Sequence, residues 1–476
     1  MSTSTRPFDR LLIGILLLLL VCKSSSQPTS GDQSTLLAIK NQWRNPWQLV
    51  SWDPVTNPDH CNWIGVVCRG GRSGAVTGIS LPKLNITGKV PESRLDLSYN
   101  NLTGGFPDAQ LYACSQLRFL DLSNNAFHGV LADDISRLSP AMEHLNLSTN
   151  QFRGAVLAAV AGLPGLRSLL LDNNQFTGAY PAAEISKLAG LEQLTLASNP
   201  FAPAPAPPQF AKLTNLIYLW MSEMNMTGEI PKAYSSLVNL QLIAITDNNL
   251  TGEIPAWVWQ HPRLENLYLF NNGLTGTLPR KITAVNLIEL DVSSNQLTGE
   301  IPEDIGNLKN LSILFMYANQ LTGSIPASIA MFPNLRDIRL FENKLSGELP
   351  TELGKNSPLG NLEICNNNLF SGDFPAKIWS FPKLTNVSIQ NNGFTGYLPA
   401  NICENISWIE MGNNKFSGSL PTSATGLNVF KAENNLLSGE LPADMSKFPN
   451  LTKLWISGNQ LTGPDTKISQ FVAEAQ

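Results

Sequence analysis

The groups in this 476-residue chain that could do covalent, metal or acid–base chemistry are six cysteines, four histidines and scattered carboxylates. The tightest cluster is His60, Cys61 and Cys68. It offers three donors, one short of a closed tetrahedral zinc site, so a Cys61–Cys68 disulfide is the expected pairing and no metal or other cofactor is expected. His60, His128, His144 and His261 are scattered, and neither GxSxG nor HExxH occurs. Paired carboxylates could serve a glycosidase, but only inside an enclosed cleft, which nothing here implies. No catalytic residue is expected. Binding chemistry remains: Tyr218 and Trp220, Tyr268 and Phe270, Phe315 and Tyr317, Arg339 and Phe341 occupy alternate positions, successive pairs lying 50, 47 and 24 residues apart. Tyr, Trp and Arg are the residues that dominate interface energies.

The elements that position those pairs follow from a repeat. Rows of about 24 residues align on LxxLxLxxNxLxGxIP, as in Leu264, Leu267, Leu269, Asn272, Leu274, Gly276 and Pro279. The Asn falls at 100, 125, 150, 174, 199, 248, 272, 295, 319, 343, 367, 392, 414, 435 and 459, with Met at 224 and Leu in a shorter copy at 84, giving seventeen units. Such spacing is that of leucine-rich repeats, whose units each give one short strand and gain stability only by stacking. Strand alternation turns Leu267 and Leu269 inward and Asn266, Tyr268 and Phe270 outward, onto the concave side. An inward Asn must bond backbone groups of adjoining turns, so a ladder is expected, with neighbours of Met224 finding other partners. Gly276 and Pro279 are read as turning the chain to the convex side.

Composition agrees. The chain is 43% hydrophobic and only 14% charged, with 32 basic against 37 acidic residues, so a polyanion such as nucleic acid is an unexpected partner. Arg6 and Arg10 precede the apolar run Leu11 to Val21, which is too short to span a bilayer and reads as a secretory signal ending near Ser26. The expected organisation is a signal over 1–26, a cap over 27–74, repeats over 75–463 and a non-repeat tail over 464–476. In the cap, Asp32 to Trp43 reads as a helix, with Trp52 and Trp63 continuing its packing. Leu84 to Asn100 spans too few residues for a whole unit, and Pro200 to Pro208 is read as an extended segment inside a repeat. Cys114 and Cys403 are read as inward free thiols, and Cys365 as an outward thiol that is either reactive or mispaired. Nine sequons, at Asn85, Asn101, Asn146, Asn225, Asn249, Asn310, Asn386, Asn405 and Asn450, fit a glycosylated extracellular chain. Acids at Glu289, Asp291, Glu342 and Glu363 suggest a ligand with basic residues.

The cap motif Cys61-Asn-Trp-Ile-Gly-Val-Val-Cys68 and units such as Leu297-Thr-Gly-Glu-Ile-Pro302 resemble the extracellular part of plant leucine-rich-repeat receptor kinases. Asn356 to Leu359, Ser380 to Asn386 and Ile406 to Asn414 look most like the HAESA-like receptors. The resemblance implies an α/β repeat fold, a right-handed solenoid of the plant extracellular type with a helical, disulfide-bonded N-terminal cap. It also implies a secreted signalling peptide bound on the concave face, and a shorter leucine-rich-repeat co-receptor as a further partner. No VAIK, HRD or DFG sequence is present, so phosphoryl transfer is not expected of this chain. The outward arginine pair of such receptors is missing too: Arg336 and Arg339 are three apart, and only Arg339 points outward. The expected function is peptide-hormone recognition by an extracellular ectodomain without membrane helix or kinase. The alternatives are a secreted inhibitor of cell-wall hydrolases and a truncated receptor product.

Overall fold

The computed structural model describes Gln33, Leu36, Leu37, Lys40 and residues 47–69, 75–80, 94–112, 114–441 and 445–463. The expected signal, Cys22, most of the cap helix, Leu84, Asn85 and the tail over 464–476 lie outside the described residues. The chain divides into two compact units at Met226/Thr227.

The first unit opens with the cap. Leu36, Leu49, Trp52, Trp63 and Val66 form its core. The Trp52 and Trp63 rings stack at 5.9 Å. Their indole N–H groups donate to the carbonyls of Ile64 (2.8 Å) and Asn57 (2.7 Å), so both rings are buried without an orphaned donor. Cys61 and Cys68 are disulfide-bonded, which removes both sulfurs from any metal site with His60. Val66–Arg69 pairs antiparallel with Ala75–Ser80, and Ala75–Ser80 pairs parallel with Arg94–Asp96. Parallel strands Phe119–Asp121, His144–Asn146, Ser168–Leu170, Gln193–Thr195 and Tyr218–Trp220 follow. The second unit carries ten such strands, from Leu242–Ala244 to Lys453–Trp455.

Each strand is three residues long because the motif supplies only that much alternation. The central Leu of Asn266–Tyr268 is buried while its neighbours are partly open, and a buried central residue recurs from Arg94–Asp96 to Lys453–Trp455. The helical half of the repeat is lighter than an α/β label suggests. It consists of five-residue 3₁₀ runs such as Glu303–Asn307 and single α turns such as Ala256–Trp259. Pro231, Pro302, Pro326 and Pro375 start such runs with φ between −75° and −58°, where the missing N–H costs nothing. The segment from Pro200 is extended and packed within its repeat as read: Phe201, Ala206 and Phe210 are buried, and Pro207 has φ −76° and ψ 111°.

The asparagine ladder is present in both units. Asn150 Nδ2 donates to the carbonyls of Leu122 (2.9 Å), Leu147 (3.2 Å) and Ser148 (3.2 Å), and its Oδ1 accepts from the Phe127 N–H (3.0 Å). One side chain thus meets four backbone groups, two of them one repeat earlier. Met224 interrupts the series. The Phe201 N–H, which an Asn there would take, turns to the Asn199 carbonyl at 2.8 Å, and the Phe201 carbonyl accepts from Asn225 Nδ2 at 3.0 Å.

A second regularity escaped the sequence reading. The residue before the ladder position sits in the left-handed region, with φ between 50° and 56° at fifteen non-glycine positions from Tyr99 to Asn434, fourteen of them before an Asn and Glu223 before Met224. Asn and Asp tolerate this backbone; Thr149, Ala318 and Tyr99 hold it at a cost. Cys114 corrects another expectation, since it is disulfide-bonded rather than free, with its partner outside the described residues.

Candidate binding face

Strand register sets which side chains meet on the sheet face turned away from the leucines. In the second unit Asn266, Glu289, Ile313, Asp337, Asn361, Asn386 and Trp408 form one row. Tyr268, Asp291, Phe315, Arg339, Glu363, Ser388, Glu410, Lys431 and Trp455 form the next. Phe270, Tyr317, Phe341, Cys365 and Gln390 follow two residues on.

The structure brings six of the eight expected binding residues together here. The Tyr268 hydroxyl donates to the Glu289 carboxylate, and Asn266 Nδ2 donates to the Tyr268 oxygen at 3.2 Å. Tyr317 stacks on Phe341 at 4.4 Å, and Phe315 lies 6.2 Å from Tyr317. Phe270 is partly buried beside them. Arg339 places its guanidinium 4.6 Å over the Phe315 ring. Its Nε and a terminal nitrogen donate to Asp337 at 3.0 and 2.9 Å, and Glu363 lies 3.8 Å away. The bond to Asp337, ahead of the nearby charges of Asp337 and Glu363, holds its pKa above the ordinary arginine value.

Two expectations change in consequence. The rings were read as exposed, but all six residues are only partly open, because parallel register sets their side chains against one another across neighbouring strands. Arg339, expected among the binding residues, has its charge already met by Asp337. Asp291 is buried under a Ser293 hydroxyl that donates to it at 2.5 Å; burial raises its pKa from the ordinary aspartate value.

Tyr218 and Trp220 belong to the first unit and are likewise partly buried. Burial, then the nearby Asp172, raises the Tyr218 pKa. Several other outward residues of this unit are small and mutually bonded: Ser98 Oγ to Asp96 (2.7 Å), Asn146 to Asp121 (2.9 Å), and Ser148 Oγ (2.6 Å) and Thr195 to Asp172. Phe119 is sandwiched between His144, stacked at 4.2 Å, and the Arg94 guanidinium at 3.4 Å.

The sequence reading missed Trp408 and Trp455, outward residues of the second unit that are 36% and 40% exposed. Lys431 Nζ lies 5.8 Å from the first ring and 4.5 Å from the second, and 2.6 Å from Glu410. The alternation that picked out Tyr268 applies equally to both tryptophans. Cys365 corrects a further expectation. It is a free thiol at an outward position, yet it is 6% exposed, and burial followed by the charges of Glu363, Glu410 and Glu342 pushes its pKa up to about 12. Such a thiol is not reactive.

Among the sequons, Asn146 and Asn386 lie on the outward face with their amides donating to Asp121 and Glu363. Asn225, Asn310, Asn405 and Asn450 donate to backbone carbonyls about one repeat earlier. Asn101 and Asn249 are exposed.

A ladder of inward asparagines, one three-residue strand per turn and an outward face free to vary define a leucine-rich-repeat protein. The chain belongs to that family: residues 94–392 match the leucine-rich repeat region, and residues 29–69 match the leucine rich repeat N-terminal domain. Its repeats are homologous to those of plant receptor-kinase ectodomains. The crystal structure of the Arabidopsis receptor kinase HAESA, in complex with the peptide hormone IDA and the co-receptor SERK1, superposes with a TM-score of 0.83 at 30% identity over 91% of this chain and 74% of that one. Receptor-like protein 3 of Arabidopsis thaliana is 32% identical over 135 residues, 25% of this chain and 18% of that protein. Polygalacturonase inhibitor 1 of the same plant is 32% identical over 122 residues, 24% of this chain and 36% of that protein. The matches thus span only about a third or less of these two curated relatives. Among the described residues no helix is long and apolar enough to cross a membrane.

Proposed function

We propose that this chain is an extracellular recognition module that binds a secreted signalling peptide along the outward face of its sheet, with a shorter leucine-rich-repeat protein as co-receptor. The observation that carries the reading is the partly open patch of Tyr268, Phe270, Phe315, Tyr317, Arg339 and Phe341 on outward positions of the second unit. Folding rests on the inward leucines and the asparagine ladder; flat, semi-rigid rings outside that core suit an extended ligand. At about 4.8 Å per strand, the steps from Tyr268 to Arg339 make room for a peptide of several residues lying across the strands. The HAESA complex, solved with a peptide hormone and a co-receptor, supports the same reading by homology.

The test selects a randomised twelve-residue peptide library on the full chain and measures the affinity of the selected peptide. Changing Tyr268 and Tyr317 together to Ala should abolish binding and leave Tm unchanged within a few degrees. Undiminished affinity would remove the site. The match to Polygalacturonase inhibitor 1 favours a second reading, inhibition of a cell-wall hydrolase; dose-dependent loss of endopolygalacturonase activity would support it instead.

A further inference from the structure

We propose that Asn249 carries an N-linked glycan, and that its innermost sugar, an N-acetylhexosamine, seats in a polar recess left open beside it by Gly273. The inference rests on secretion and not on the peptide reading, and it gives one of the nine sequons a place in the fold.

Three observations converge there. Asn249 opens the sequon Asn249-Leu250-Thr251, is exposed, and has no side-chain hydrogen bond to any described residue. The amides of Asn225 and Asn310, also in sequons, are instead committed to the carbonyls of Phe201 (3.0 Å) and Val285 (3.2 Å). Next to Asn249 lies a recess of about 340 Å³, lined by Asn248, Asn249, Thr251, Asn271, Asn272 and Gly273. Its wall offers amides, a hydroxyl and backbone groups, the partners that sugar hydroxyls and an acetamide take. The Gly273 N–H donates to the Leu250 carbonyl at 2.8 Å, which fixes this glycine one repeat on from Asn249. A Cβ on Gly273 would stand 3.1 Å from that carbonyl and 3.6 Å from Thr251 Cγ2, so a longer side chain would enter the recess. Gln296, Gln320 and Lys344 follow the ladder Asn in the next three units; at 273 that side chain is missing.

The donor for attachment is a polyprenyl diphosphate-linked oligosaccharide. Asn249 Nδ2 loses a proton and forms a bond to C1 of the first sugar, the C1–O bond to the diphosphate breaks, and the diphosphate leaves with the electron pair. Transfer needs only the sequon; the recess then decides where that sugar lies. Asn271 Nδ2 uses one N–H on Asp247 at 2.7 Å and keeps the other for a sugar hydroxyl or acetamide oxygen. Asn271 also follows the outward Phe270 in the chain, so the seated sugar borders the proposed ligand patch.

The experiment uses the full chain secreted from plant cells. Peptide mapping by mass spectrometry should find a glycan on Asn249. In native protein, peptide N-glycosidase should release that glycan at least about fivefold faster once Gly273→Gln fills the recess, the factor that one hydrogen bond supplies. Gln stands at that position in the next two units, and an unchanged Tm checks that the variant folds. Asn271→Gly keeps the left-handed backbone, removes the amide and should speed release to a similar degree. A bare Asn249 beside glycosylated sequons, or equal release rates in wild type and both variants, would overturn this inference and leave the peptide reading standing. Absence of sugar from all nine sequons would overturn it together with the secreted reading.

Discussion

The outward faces of the two units differ although their backbones repeat one pattern. In the first, beside the stacked Arg94, Phe119 and His144, short polar side chains close on each other: Asp172 accepts from Ser148 and Thr195, Asp121 from Asn146, and Asp96 from Ser98. In the second, long and flat side chains leave open ring faces and unmet acceptors. The inward leucines and the ladder are shared, so folding places no demand on this difference. A repeat fixes spacing and core and leaves the outward rows free; a self-satisfied row has little to offer a partner, and an unsatisfied one does.

The largest effect should come from breaking what the units share. Asn295 Nδ2 meets the carbonyls of Leu269, Val292 and Ser293, and its Oδ1 accepts from Leu274 N–H. Asn295→Ala should destabilise by about 3 kcal/mol or more, read as a lower urea midpoint, because several buried groups lose partners at once. In the first unit Met224→Asn should shift stability by less than about 1 kcal/mol, since the local backbone has already re-paired. Equal and opposite changes would show that the re-pairing around Met224 carries no weight.

Next comes thiol labelling in native protein at pH 8. Cys365, buried at the outward face with its pKa pushed up to about 12, should react with a maleimide at least roughly tenfold more slowly than the partly open Cys403. Comparable rates would mean that the second unit's face opens far more than its packing implies. A smaller effect, about 1 kcal/mol, is expected at the left-handed position before the ladder. Thr149→Asn should stabilise the first unit by that amount. Asn413→Thr should cost the second unit more, because Asn413 also donates to Asn391 at 2.7 Å and accepts from Asn434 at 2.8 Å.

The smallest effect concerns pH. Burial, as the leading cause, lowers the pKa of His144 in the first unit and of His261 in the second below 6.5. His144 faces Asp121 and Asp96, which oppose the shift, and Arg94, which adds to it. A lowered folded pKa means that the unfolded chain takes up the proton first, so stability falls as pH drops through 6.5 and levels off below the folded value. His144→Gln and His261→Gln should each flatten the dependence of Tm on pH between 7.5 and 5. An unchanged slope would remove that histidine from the account.

Much of this was legible in the sequence, and for physical reasons. Strand alternation, the ladder and the Cys61–Cys68 bond depend on residue type and local spacing, which a single repeat displays. The fate of an outward side chain depends on its neighbour 24 residues away. Arg339 was correctly placed outward, but that Asp337 would hold it could be seen only with both side chains in place. Cys365 pointed outward and is nonetheless buried, because residues of adjoining repeats cover it. Trp408 and Trp455 were legible and overlooked, since the rule that found Tyr268 finds them too. The left-handed position was also signalled, by the frequent Asn or Asp just before the ladder Asn.

The ladder has a direction. Most ladder carboxamides reach back to the coil made before them, taking that coil's N–H and giving to its carbonyl, as Asn150 does toward Phe127 and Leu122. Within each unit a coil is therefore finished only by its successor. A chain leaving the ribosome N-terminus first can zip up turn by turn, and at every moment the newest turn is the one still owed its bonds.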